Sequence, residues 1–130
     1  MKKWIPRLLS LLLLTGCAAP ANPEISYRQI SMEEAVSMME SETDYIILDV
    51  RTPEEFQEKH IPGAINVPNE TIASEEIPEL PDKAQLILVY CRSGNRSKQA
   101  SQKLAALGYT NIAEFGGIND WPGQTVSETE

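Results

Sequence analysis

Cys91, Arg92, Ser93, Gly94, Asn95, Arg96 and Ser97 form the stretch of this 130-residue chain whose residue types and order best suit covalent chemistry. A thiol attacks as its thiolate, and at an ordinary pKa of about 8.5 only about 3% of it is ionised at pH 7. The flanking residues supply the means to ionise it. Leu86-Ile87-Leu88-Val89-Tyr90 is a short apolar run that reads as a buried strand. Across residues 98–107, Ala100, Leu104 and Leu107 recur at the spacing of one helix face. Cys91 therefore sits at a strand-to-helix turn, where unpaired amides and the positive end of the helix dipole favour an anion. Gly94 can adopt φ > 0 and so let loop amides point inward. Arg92 and Arg96 add positive charge. A cysteine after an apolar strand can also be just a small buried group, but the residues that follow this one are polar and basic.

The other cysteine, Cys17, follows Lys2, Lys3, Arg7, an apolar core from Leu8 to Leu14, and Thr15-Gly16. That is the charged, apolar, small-residue order of a secretory signal, and the run is too short to span a bilayer. Leu14-Thr15-Gly16-Cys17 resembles the bacterial lipoprotein signal. The resemblance implies a signal peptide over 1–16, diacylglyceryl attachment to Cys17 and cleavage just before it; an ordinary signal peptide cut nearby, or a free hydrophobic tail, is the alternative. Residues 17–25 then form a lipidated tether, since Ala18 to Glu24 holds two prolines and nothing to bury. Two or more acyl chains anchor stably, so the expected location is the bacterial cell envelope, on the outer face of a membrane. With Cys17 so used, Cys91 has no disulfide partner in the chain, and without a Cys-x-x-Cys pair a thiol-redox role would need a partner protein's thiol.

Lys2, Lys3 and Arg7 are three of the 11 basic residues, and all 19 acidic residues lie beyond the leader, which leaves 8 against 19 and a net charge of −11. Nucleic acid is excluded as a partner on that balance. Arg92, Arg96, Lys98 and Lys103 gather half of the remaining positive charge around the Cys91 loop and its helix, a focus that draws a small anion. The mature length suffices for one domain with its own core.

Patterns alternate along the rest of the chain. Ser31 with Glu34 reads as a capping box, opening a helix with a Met32, Ala35, Val36, Met39 stripe that suits a core. Tyr45 to Val50 reads as a second buried strand. Thr52-Pro53-Glu54-Glu55 repeats the cap with proline at the first helical position, and the short helix ends near His60, which is read as capping the turn at Ile61-Pro62. Ile65-Asn66-Val67 reads as a brief strand, 69–84 as a solvated, partly helical connection, and Ile112 to Phe115 as a last strand entered after the helix stop at Gly108. Trp121 reads as packing for the last segment. Alternating strands and helices predict a mainly parallel α/β sheet with helices on both faces and a site at the carboxyl ends of the strands, where Asp49 and Cys91 fall.

Four blocks together resemble a single-domain rhodanese: Asp49-Val50-Arg51-Thr52-Pro53-Glu54-Glu55-Phe56, His60-Ile61-Pro62-Gly63-Ala64-Ile65-Asn66-Val67-Pro68, the Cys91 loop, and Gly108-Tyr109 with Gly116-Gly117-Ile118-Asn119-Asp120-Trp121. The resemblance covers residues 26–126, with 127–130 left as an acidic tail. It implies a five-stranded sheet and a catalytic cysteine carried as a persulfide. Cys91 is then the nucleophile, and Arg92, Ser93, Gly94, Asn95 and Arg96 bind the anionic donor and cradle the sulfur. Asp49 and Arg51 are expected to tie the strand end to its surroundings, with Ser97 also behind the loop. Lys59 and Thr125 stand where the family usually has Gly and Pro, which bears on turns and not on chemistry.

The implied reaction takes sulfane sulfur from a small anion such as thiosulfate to cyanide or a thiol, for which a thioredoxin-like protein is a candidate. No cofactor and no metal is implied, and a monomer is expected. A phosphatase loop would need its arginine where Ser97 stands, one position after Arg96. A noncatalytic binding module of this shape typically lacks the cysteine.

Overall fold

The computed structural model describes residues 26–128, so the leader and Cys17 lie outside the described residues. Five strands form one sheet: β1 (Arg28–Gln29), β2 (Tyr45–Asp49), β3 (Ile65–Asn66), β4 (Leu86–Cys91) and β5 (Ile112–Gly117). Their order is β1-β5-β4-β2-β3 and every pairing is parallel. The α/β sandwich that the alternating patterns predict is thus present, with β1 as a polar edge strand that carries no apolar signal.

Three helices cover the sheet: α1 (Met32–Ser41), α2 (Pro53–Glu58) and α3 (Asn95–Ala106). Both capping boxes form. Ser31 Oγ accepts from Glu34 N at 3.0 Å and Thr52 Oγ1 from Glu55 N at 3.2 Å, while each glutamate reaches back to the cap amide. On α1 it is Met38, with Met32 and Met39, that packs beside Ala35, and Val36 lies off the core. Lys59 adopts φ −169° and ψ 148°, extended backbone that needs no glycine. His60 donates from Nδ1 to Phe56 O at 2.8 Å and stacks on the Phe56 ring, closing the end of α2. Glu128 N–H donates to Gln57 O at 2.8 Å, so the start of the terminal segment is pinned to α2 as well.

Strand alternation divides the core in two. Ile87, Val89 and Cys91 face α3 together with Leu48, Val50 and Ile112, whereas Leu86, Leu88 and Tyr90 face the other helices with Ile47, Ala113 and Phe115. Residues 72–84 correct the expected solvated connection. Only Asn69–Thr71 is helical, as a 3-10 turn, and Ile72, Ile77 and Leu80 are buried in the α3-side core.

Candidate active site

Cys91 ends β4 on the α3 side and is 1% exposed. The helix begins at Asn95, ahead of the residues that carry its apolar spacing, so the loop proper is Arg92, Ser93 and Gly94. Gly94 takes φ +117°, and its N–H donates to Cys91 Sγ at 3.0 Å. A side chain there would oppose the left-handed backbone that turns this amide toward the sulfur. No side chain caps α3, which leaves its first turn of amides available to an anion.

A second wall comes from β5 and the turn after it. Cys91 lies opposite Gly117 beyond a register shift in the β4–β5 ladder. Any Cβ at Gly117 would stand 2.0 Å from Arg92 O, and Asn119 N–H donates to that same oxygen at 3.2 Å. The absence of a side chain at Gly117 therefore lets strand and loop backbones touch.

The two loop arginines are placed differently. Arg96, on the first turn of α3, holds Glu55 of α2 with Nη1–Oε1 at 2.7 Å and Nη2–Oε2 at 3.1 Å. Arg92 is 65% exposed, with Nη1 at 3.9 Å from Glu55 Oε2. Ser93, Asn95 and Lys98 are exposed, and Lys103 is tied to Asn69 O at 3.0 Å. Glu55 is the residue that the capping reading undervalued: it caps α2 and also fixes Arg96, a partner 41 positions away.

The hydrogen bond from Arg96, against a smaller opposing effect of burial, brings the Glu55 carboxyl down to about 2. A carboxyl more acidic folded than unfolded stabilises the fold fully above its ordinary value of 4.5, and that contribution fades as pH falls from there toward about 2. Glu55→Gln should lose about 1–2 kcal/mol at pH 7. Urea unfolding at pH 7 and near pH 3 checks this, because the difference from wild type must shrink in acid.

Asp49 and Arg51 are not brought to the sulfur. Arg51 binds Asp49 through Nε at 3.0 Å and Nη2 at 2.6 Å and reaches Lys59 O at 2.7 Å. Tyr90 donates to Asp49 Oδ2 at 2.6 Å and accepts from Ile61 N at 3.1 Å. Burial, then the Asp49 charge, pushes the Tyr90 phenol well up, keeping it a donor. This cluster lies on the face opposite Cys91 and fixes the turn after α2.

Ser97 and a residue that sequence reasoning missed, Glu114, complete the α3 side. Ser97 Oγ lies 3.5 Å from Cys91 Sγ, 3.0 Å from Gly94 O and 3.3 Å from Gly116 O, and it donates to Glu114 Oε2. The available signal was alternation: a carboxylate two positions after Ile112 shares its face, hence that of Cys91. Among the described residues no cluster of three or more His, Cys, Asp and Glu side chains could hold a metal.

The site can hold a sulfur anion and present it to a small donor. Thiosulfate sulfurtransferase PspE of Escherichia coli is 40% identical over 73 residues, 56% of this chain and 70% of that protein. Thiosulfate:glutathione sulfurtransferase of Saccharomyces cerevisiae is 35% identical over 89 residues, 58% of this chain and 63% of that protein. The chain spans only 24–26% of other, longer curated relatives. A solved structure described as a rhodanese with anions from E. coli superposes with a TM-score of 0.58 at 36% identity, covering 64% of this chain and 98% of that one. The family model for the rhodanese-like domain matches residues 31–124. That span runs from the cap of α1 past Trp121 and takes in the Cys91 loop with both of its walls, so the chain belongs to the rhodanese-like domain family.

Proposed function

We propose that this protein is a sulfurtransferase that carries sulfane sulfur on Cys91, from an anionic donor such as thiosulfate to cyanide or a thiol, a thioredoxin-like protein being a suitable source of that thiol. The observation that carries the reading is the Gly94 amide 3.0 Å from Cys91 Sγ at the strand-to-helix turn. The Cys91 thiolate attacks the outer sulfur of thiosulfate; a new S–S bond forms, the bond to the sulfonate sulfur breaks, and sulfite leaves with its electron pair. An acceptor thiolate or cyanide then attacks the terminal sulfur and returns the electron pair to Cys91 Sγ. With Cys91 at 1% exposure, the loop favours donors that present a single protruding sulfur.

The proposal includes an anchor. The basic, apolar, Leu14-Thr15-Gly16-Cys17 order supports lipid attachment at Cys17 and a site on the outer face of a bacterial membrane, where the 17–25 segment spaces the domain from lipid. Mass spectrometry of the full-length protein isolated from membranes tests both parts. Thiosulfate should add the mass of one sulfur atom to Cys91, cyanide should remove it as thiocyanate, and the N-terminus should be a lipidated Cys17. A Cys91 that stays unloaded with thiosulfate excludes the persulfide route, and a chain retaining Met1 without lipid excludes the anchor.

A further inference from the structure

Glu114 is a buried carboxylate with no cation to answer it. It is 2% exposed and forms no ion pair among the described residues. Oε2 accepts from Ser97 Oγ and from Gly116 N at 3.0 Å. Ser97 is fully buried and owns one hydrogen, with Gly94 O at 3.0 Å and Gly116 O at 3.3 Å as competing acceptors. The ionised acceptor wins such a contest. The lone pairs of Ser97 Oγ are then free to accept from the Cys91 thiol at 3.5 Å.

This arrangement serves a thiol beside a carboxylate, but not two anions. A thiolate formed while Glu114 stayed ionised would place two negative charges in one dry space, bridged by a hydroxyl with a single hydrogen to give. We propose that Cys91 and Glu114 hold one proton between them through Ser97, so that the sulfur ionises as the carboxyl protonates. The Sγ–H bond breaks and leaves its electron pair on sulfur; that proton bonds to Ser97 Oγ as the proton of Ser97 passes to Glu114 Oε2. Ser97 then donates to the thiolate alongside the Gly94 amide. Glu114 keeps the proton while Cys91 is loaded with sulfur and returns it when the sulfur leaves.

Other charged groups near the site do not take this part. On α2, Glu55 is neutralised by Arg96 and approached by Arg92. Glu70, on the 3-10 turn, and Cys91 both act on the Arg96 guanidinium, which stays charged. On β1, Gln29 lies opposite Glu114 and Arg28 binds Asn111. The Asp49–Arg51–Tyr90 cluster lies beyond the sheet.

The inference rests on Cys91 as the nucleophile, yet its test needs no sulfur donor, so its failure is separable from that of the sulfurtransferase reading. The pH profile of Cys91 alkylation by iodoacetamide is measured in the wild type, Glu114→Gln and Ser97→Ala. Glu114→Gln removes the competing anion and should move the midpoint down by about one unit, a gain of up to about tenfold in rate below it. Ser97→Ala removes the donor while the charge stays, and should move the midpoint up. A chain that merely unfolded would instead titrate as a free thiol near 8.5. In wild-type protein at a pH where the pair holds a single proton, the infrared spectrum should show a protonated-carboxyl band that Glu114→Gln lacks, and that band and the S–H band should fade together as the pH rises and the shared proton leaves. An unshifted or raised midpoint in Glu114→Gln, or a wild-type protein that shows no protonated-carboxyl band while the pair holds its single proton, overturns the proposal.

Discussion

Cys91→Ser should abolish the proposed transfer of sulfur from thiosulfate to cyanide, with activity falling by ~10³-fold or more to background. A serine hydroxyl is neither ionised near neutral pH nor able to form the S–S bond that stores the transferred atom. The same replacement leaves the fold standing. The new hydroxyl meets the Gly94 amide and Ser97 Oγ that now surround the sulfur, so burying it costs only about 1–2 kcal/mol. Thiocyanate formation and thermal unfolding, measured on one preparation, separate the two effects. A thiol present only to fill the α3-side core would give the opposite result, lower stability with transfer intact, and residual activity above a few percent would place the nucleophile elsewhere.

Gly117→Ala should cost nearly as much by a purely steric route. Gly117 has φ −145°, which alanine adopts freely, so the backbone is not the obstacle. Its Cβ would lie 2.0 Å from Arg92 O, 2.3 Å from Arg92 C and 2.6 Å from Ser93 N. Those are main-chain atoms that no rotamer change can move. The loop must retreat from β5 by more than an ångström, which breaks the Asn119–Arg92 hydrogen bond and draws the Gly94 amide away from the sulfur. A displacement of that size lowers turnover by about 10²-fold, and the strain destabilises by about 3 kcal/mol. Steady-state thiosulfate kinetics and urea unfolding check the pair. Unaltered kinetics would mean that β5 does not set the loop.

What could be read from the chain itself follows the reach of each signal. The Ser31–Glu34 and Thr52–Glu55 boxes close within three residues, and the apolar runs of β2 and β4 declare buried strands wherever they pair. The Cys91 turn was readable because strand, glycine and helix face are consecutive. Glu114 escaped because its meaning lies in Ser97, 17 positions away and across two elements. Arg96 reads only as a contact for an anionic donor for the same reason, since Glu55 meets it only after the fold forms. Ile72, Ile77 and Leu80 follow no period, so nothing local marked them as core. β1 is two polar residues whose strand character comes wholly from pairing with Ala113 and Glu114.

The two outermost strands of the sheet are each two residues long, Arg28–Gln29 on one flank and Ile65–Asn66 on the other. A foreign chain approaching either flank finds almost no ladder to extend, and one of them presents an exposed arginine. Inside lie Ile46-Ile47-Leu48 and Leu86 to Tyr90, apolar and β-branched runs of the kind that seed amyloid when laid bare. The brevity of the rims thus acts as colloidal protection, and the run from Leu86 to Tyr90, with β2 on one side and β5 on the other, reaches other chains only if the sheet itself comes apart.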